Sequence, residues 1–253
     1  MVNYIGNKGT LTDFITPHIP KNIPYYIEPF GGMMGIFFTL NLKDFPDTQF
    51  IYNDVNPLNS NLFEHLKKEK FIQKVNQTNV TESLFLESYD NLKSKSKDLR
   101  ALSWLIILCC GEVKDLMSKK YGGNSQFEIL KWKLPRYESF FNRLTVLNLD
   151  YKKLFEKYDN GADVFFYCDP IYKGYESYYT NHNWSDVKHF ELYSHLSKLK
   201  SSWILSYYNF PELKEWYESL DVDKTIPDAE VFDGRITNYE SGEYISDKEN
   251  YNI

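Results

Sequence analysis

The chain has 253 residues, of which 42% are hydrophobic and 17% aromatic, enough to bury a sizeable core and too apolar for a disordered protein. Its net charge of -6 argues against a uniformly basic nucleic-acid binder. The charge is uneven, however: residues 61–157 hold 18 Lys or Arg against 12 Asp or Glu, and the remainder 11 against 23. A basic middle suits contact with a polyanion, and a solvated lysine-rich helical face explains the same balance equally well.

Three cysteines, two of them adjacent at Cys109 and Cys110, form neither a disulfide framework nor a C-x-x-C pair. His182, His189 and His195 have no Cys or carboxylate at ligand spacing, so no metal site is expected. The N-terminus shows no signal-peptide pattern, and no apolar stretch approaches the ~18 residues of a membrane span. The expectation is a soluble, cytoplasmic protein.

The first elements read as strand, glycine turn, helix, strand. Residues 24–30 form the first strand, Gly31-Gly32-Met33-Met34-Gly35 a turn, residues 36–42 a helix and residues 50–54 a second strand, together a βαβ unit. Helical patterns follow at 58–71, 82–92 and 99–108, the first with Leu58, Leu62, Phe63 and Leu66 on one face. Across residues 114–136 the periodicity fades. Gly122-Gly123-Asn124 sits there among Lys119, Lys120, Tyr121, Lys131, Lys133 and Arg136, which reads as an exposed basic loop or hairpin.

Strand character resumes at 145–150, a helix covers 151–157, and the apolar run 162–168 leads into Asp169-Pro170-Ile171-Tyr172. A helix at 187–199 and a strand at 203–208 continue the alternation. From Pro211 the tail is acidic, with 4 basic and 12 acidic residues, and ends in short strands without a definite place. The fold class is therefore α/β with a mostly parallel sheet, whose ligands belong at the carboxyl ends of the strands.

Three of those ends carry carboxylates. Phe30-Gly31-Gly32 closes the first strand where backbone can approach a nucleotide-like cofactor, and Asp54 ends the next strand, 19 residues after Gly35, where a carboxylate can accept from ribose hydroxyls. Asp150 ends a third strand and can accept from an adenine amine. Alone, Asp54 or Asp150 reads first as an N-cap or strand-end turn residue, and it is the three acidic strand ends in one sheet that favour the binding role. A Walker loop is excluded, because Gly6-Asn7-Lys8-Gly9-Thr10 lacks the spacing and precedes the first strand. The G-x-G-x-x-G fingerprint of dinucleotide sites is absent. At Asp169 a buried strand ends by projecting a carboxylate, a rigid turn and an aromatic ring. That set suits a flipped-out nucleobase: Tyr172 stacks on its face, and Asp169 and the Pro170 carbonyl accept from its exocyclic amine.

Tyr4-Ile5-Gly6-Asn7-Lys8, Glu28-Pro29-Phe30-Gly31-Gly32, Asn53-Asp54-Val55-Asn56, Tyr167-Cys168-Asp169-Pro170-Ile171-Tyr172 and the run from Trp203 to Asn209 occur in that order. Across nearly its whole length the chain resembles the Dam-like, alpha-group DNA adenine N6-methyltransferases, especially phage-type members. The resemblance implies a Rossmann-like class I methyltransferase fold, with residues 1–60 and 143–253 binding S-adenosylmethionine and residues 61–142 an inserted, mainly helical target-recognition region. It implies methyl transfer to the exocyclic amine of adenine in double-stranded DNA, inside a bacterial or phage-infected cell. A cognate restriction enzyme is the further partner such a role allows.

By the family pattern Tyr4 and Lys8 lie beside the methionine part of the cofactor, residues 30–32 pass under it, Asp54 holds its ribose, and Asp169 stands between cofactor and target base. Independently of the family, the segment 114–136, with 6 basic against 2 acidic residues and its glycines, is the expected DNA contact, through Lys119, Lys120, Tyr121, Asn124, Lys131, Lys133 and Arg136. Two departures stand out: Ile171 replaces the second proline of D-P-P-Y, and Met34 replaces a third glycine. Cys109-Cys110-Gly111-Glu112 differs from the run that precedes the recognition hairpin of GATC methylases, so that target is not carried over. A binding homologue without turnover, or an enzyme acting on cytosine N4 or RNA adenine, are the alternatives.

Overall fold

The computed structural model describes residues 12–112, 119–174, 176, 184–207, 211–218, 230–232 and 236–238. After a short helix α1 (Thr12–Ile15), strands β1 (Tyr25–Glu28) and β2 (Gln49–Asn53) are followed by helices α2 (Pro57–Leu66), α3 (Glu69–Gln77), α4 (Glu82–Asn91), α5 (Lys97–Cys110), α6 (Ser125–Lys133) and α7 (Glu138–Asn142). Then come β3 (Leu144–Leu147), α8 (Tyr151–Tyr158), β4 (Val164–Cys168), α9 (Asp186–Leu196), β5 (Ser202–Ser206), α10 (Pro211–Glu218), β6 (Glu230–Phe232) and β7 (Ile236–Asn238).

The strands form one sheet in the order β3-β2-β1-β4-β5-β6-β7, parallel except for β7. Chain order reverses between β1 and β4. Such a reversal leaves a crevice at the carboxyl edge, because the connections leaving the two strands go to opposite sides of the sheet.

Both faces are covered, which explains why the strands read as continuous apolar runs. All five residues of β4 and of β5 are buried. Their side chains alternate between two cores. Tyr26, Phe50, Tyr52, Phe165, Tyr167 and Ile204 pack with the helices of the middle segment, including Phe63, Phe71, Leu105 and Phe127. Ile27, Ile51, Val164, Phe166, Trp203 and Leu205 pack on the opposite face with Leu154 and Phe155 of α8 and Leu192 and Leu196 of α9.

Three local expectations are corrected. The helix read at 36–42 is a pair of 3-10 turns, Phe37–Thr39 and Leu42–Asp44. The Thr39 hydroxyl takes the Ile36 carbonyl at 2.6 Å, and the Asn41 side chain accepts from Lys43 N at 3.3 Å, which starts a new turn. The pattern at 58–71 divides into α2 and α3, with Lys68 extended between them. Finally, residues 114–136 are not simply a loop: within their described part, 119–136, α6 buries Phe127 and Leu130, and a 3-10 turn (Leu134–Tyr137) buries Leu134. The hairpin character is confined to one antiparallel bridge, Gly111 to Tyr121.

Among the described residues, no helix is long and apolar enough to cross a membrane, and no cluster of three metal-ligating side chains occurs.

Candidate active site

Asn53, fully buried at the end of β2, ties three strand ends together. Its amide donates to the carbonyls of Pro29 at 2.9 Å and Leu149 at 3.0 Å, and its oxygen accepts from Leu149 N at 2.9 Å. The loops after β1, β2 and β3 therefore share one anchor.

The glycine turn follows from close packing. Gly31 donates its N–H to the Asn53 carbonyl at 2.7 Å. A Cβ there would stand 2.4 Å from Cε2 of Tyr52, so only glycine lets the loop lie against β2. Gly32 and Met34 both have positive φ, 47° and 51°. The third-glycine position thus keeps a glycine-like backbone while carrying a buried methionine.

Asp54 locks this turn to β2. Its Oδ2 accepts from Gly32 N at 3.0 Å and Asn59 Nδ2 at 2.9 Å, and its Oδ1 accepts from Asn56 N at 2.7 Å. The N-cap reading of Asp150 is borne out, since its Oδ1 accepts from Lys152 N at 2.9 Å at the start of α8. Phe30 turns to the α8 side of the sheet, with its ring 5.2 Å from Tyr151 and 5.9 Å edge-on to Trp184.

At the end of β4, Asp169 Oδ1 accepts from the Tyr172 hydroxyl at 2.8 Å. That hydroxyl is also 2.8 Å from Ser206 Oγ at the end of β5. The Tyr172 ring lies 5.3 Å from Tyr207. Burial and the adjacent Asp169 push the Tyr172 hydroxyl pKa well up, so it stays a donor. The Ile171 carbonyl accepts from the Tyr207 hydroxyl at 3.4 Å, a tether within the turn where relatives carry proline.

One buried carboxyl of this edge received no role from sequence. Glu28 ends β1 between Asp54 and Asp169, 3% exposed, and accepts from Tyr26 OH at 2.8 Å. Burial, with nearby Asp169 adding to it, raises its pKa to about 8 although the Tyr26 bond pulls it down. Its place in Glu28-Pro29-Phe30-Gly31-Gly32 at a strand end was the available signal.

Tyr4 and Lys8 lie outside the described residues. The basic set proves heterogeneous. Lys119 stands 5.4 Å over Tyr89, Lys120 lies 3.6 Å from Glu112, and Lys131 pairs with Glu128 at 2.9 Å. Tyr121 and Asn124 each spend a donor on the Val80 carbonyl at 3.4 Å. Lys133 is half-buried, and exposed Arg136 stacks 3.9 Å over Trp132. Trp132 itself, 63% exposed on α6, was not singled out.

A nucleoside cofactor with a cationic centre suits these residues. The Tyr151 hydroxyl is buried with no hydrogen-bond partner among the described residues, in the aromatic wall formed with Phe30 and Trp184. The carboxylates Asp54 and Asp150 stand at the neighbouring strand ends.

Strands whose order reverses at β1 and β4, with a glycine turn and carboxylates converging on that reversal, define a Rossmann-like class I methyltransferase. The family model of the D12 class N6 adenine-specific DNA methyltransferases matches residues 4–232, and the chain belongs to that family of enzymes. No curated protein matches the chain.

Proposed function

We propose that the chain transfers a methyl group from S-adenosylmethionine to the N6 amine of adenine within a specific double-stranded DNA sequence. The observation that carries this reading is the placement of two pairs at neighbouring strand ends, Gly32 with Asp54 and Asp169 with Tyr172, on either side of the switch point. Tyr4 and Lys8 join the cofactor side by the family pattern.

Bound S-adenosylmethionine would supply an electrophilic methyl on a sulfonium, with a neutral thioether as leaving group. Gly31 and Gly32 offer backbone without side chains, Asp54 and Asp150 offer carboxylates to ribose and adenine, and Phe30, Tyr151 and Trp184 offer an apolar wall. On the substrate side, the target adenine leaves the duplex, at a cost of a few kcal/mol for unstacking. Stacking on Tyr172 returns about 1–3 kcal/mol.

Asp169 and the Pro170 carbonyl accept the two amine hydrogens. This draws N6 away from planarity and localises its lone pair toward the methyl. As the new N–C bond forms and the S–C bond breaks, the surplus amine proton departs on the side of the Asp169 carboxylate. Positioning of this kind can contribute about 7–11 kcal/mol.

Incubation with tritiated cofactor and mixed DNA, followed by digestion to nucleosides, tests the reading. Label in N6-methyladenine is expected. Label in N4-methylcytosine, in RNA only, or in no base would replace it with one of the alternatives. Asp169→Ala should abolish labelling while cofactor still binds, and full activity in that variant would remove Asp169 from the chemistry.

A further inference from the structure

Asp54 is reached by a buried hydrogen-bond chain that begins in the middle segment. Trp104 of α5 donates Nε1–H to Asn59 Oδ1 at 2.8 Å, and Asn59 of α2 donates Nδ2–H to Asp54 Oδ2 at 2.9 Å. The same carboxylate oxygen holds Gly32 N–H at 3.0 Å. Asn59 and Trp104 are 1% and 6% exposed, so the bond between them is shielded from water, and the second bond leads from that buried pair to half-buried Asp54.

The chain has a single polarity. An indole N–H only donates, so the amide oxygen of Asn59 must face Trp104, and its NH2 must then face the carboxylate, which only accepts. Without the indole donor, Asn59 would lose the group that fixes its orientation. Its amide oxygen could then turn toward Asp54 and repel it.

We infer that Trp104 and Asn59 are positioning residues for the cofactor carboxylate, so that α5, far from the strand edge in sequence, sets cofactor affinity. The inference rests on Asp54 binding the cofactor, as proposed above. A merely structural role would fill the core and satisfy the indole without reaching the cofactor.

The test is a double-mutant cycle read by calorimetric binding of S-adenosylhomocysteine without DNA. Trp104→Phe keeps the ring and removes the donor. It is expected to weaken binding roughly 3- to 10-fold, the scale of one hydrogen bond. The KM for cofactor should rise by the same factor, with kcat at saturation unchanged. Asp54→Asn should weaken binding further, and adding Trp104→Phe to it should change nothing more, because the path to the cofactor is already cut. Should Trp104→Phe fail to fold, Asn59→Ala takes its place in the cycle.

A lowered melting temperature with wild-type affinity would overturn the inference. So would a Trp104→Phe effect that persists undiminished in the Asp54→Asn background. Wild-type affinity in Asp54→Asn itself would instead remove Asp54 from the cofactor site, a failure of the underlying reading.

Discussion

Trp184 donates its indole N–H to Nδ1 of His189 at 2.7 Å, and this contact fixes the imidazole as a neutral ring. The other nitrogen, Nε2, then carries the proton and donates to Glu176 at 2.8 Å. Tyr207 OH also reaches Nδ1. The cluster joins the start of α9 and the end of β5 to the segment that follows the Asp169 turn.

Burial lowers the His189 pKa below its ordinary 6.5, against the upward pull of Glu176 and Asp186 and with a small downward push from Lys173. Glu176 is lowered too, since hydrogen bonds from His189 and nearby backbone outweigh its desolvation. A depressed histidine contributes stability that is present above the unfolded pKa and lost as pH falls through the folded one. Urea midpoints of the wild type should therefore drop as the pH falls into the window below 6.5. His189→Gln should be less stable at pH 7.5 but flatter across that window, and parallel curves would exclude His189 as the source.

Glu28 has the opposite sign. Its folded pKa is raised from 4.5 to about 8 by burial, so the folded chain holds a proton that the unfolded chain gives up. Its contribution is complete below pH 4.5 and is lost as pH rises through about 8, with a slope of at most about 1.4 kcal/mol per pH unit for one proton. Glu28→Gln keeps an acceptor for Tyr26 and removes the titration. Stability of this variant relative to wild type should improve steadily from pH 5 to pH 8, and a constant difference would show that Glu28 does not titrate there.

The two parts of Tyr172 separate by substitution. Tyr172→Phe keeps the ring and removes the hydroxyl that holds Asp169 and meets Ser206. A hydrogen bond to a charged group contributes about 1.5–3 kcal/mol, so kcat should fall roughly 10- to 100-fold with DNA affinity nearly unchanged. Tyr172→Ala should additionally weaken binding of DNA carrying an abasic or mismatched partner base. Wild-type kinetics in Tyr172→Phe would mean that the hydroxyl is idle, and equal defects in the two variants would mean that the ring is.

Met34 sets a backbone cost against a packing gain. A non-glycine residue at φ 51° costs about 1–2 kcal/mol, whereas deleting a buried methionine, here 1% exposed, costs about 2–5 kcal/mol. Packing wins. Met34→Gly, although it restores the glycine of relatives, should destabilise the fold by about 1–3 kcal/mol in urea unfolding, and a stabilised variant would mean that strain dominates.

The α6 face makes a separate prediction for DNA. Arg136 and Trp132 stack on an exposed surface, whereas Lys120 and Lys131 are paired with Glu112 and Glu128. Arg136→Glu should lower DNA affinity and reduce its salt slope by about one unit. Lys131→Glu should do less, and wild-type affinity and salt slope in Arg136→Glu would move the interface off the Arg136 and Trp132 surface.

The strands that carry the candidate site were legible because their runs are largely apolar and β1, β2 and β4 are followed at once by Pro29, Asp54 and Asp169. Asp54 and Asp169 directly follow strands β2 and β4 as the sequence pattern indicates, whereas Asp150 caps α8 three residues beyond β3. What positions Asp54 was not legible, because Asn59 and Trp104 lie 45 residues apart and neither looks unusual on its own helix. The turns at 37–44 were misread because Phe37 and Phe38 are both buried, which imitates a helix face. In α6 the spacing of Phe127, Leu130 and Leu134 marks a buried helix face, which the surrounding lysines and glycines mask in the sequence.

One core spans the sheet face and the middle helices, with Tyr26, Phe50 and Phe165 against Phe63, Leu105 and Phe127. Chimaeras that exchange residues 61–142 with a relative would replace the side chains that pack on these strands. Substitutions at exposed positions on α6 and its flanks, by contrast, leave the buried side chains beneath them in place.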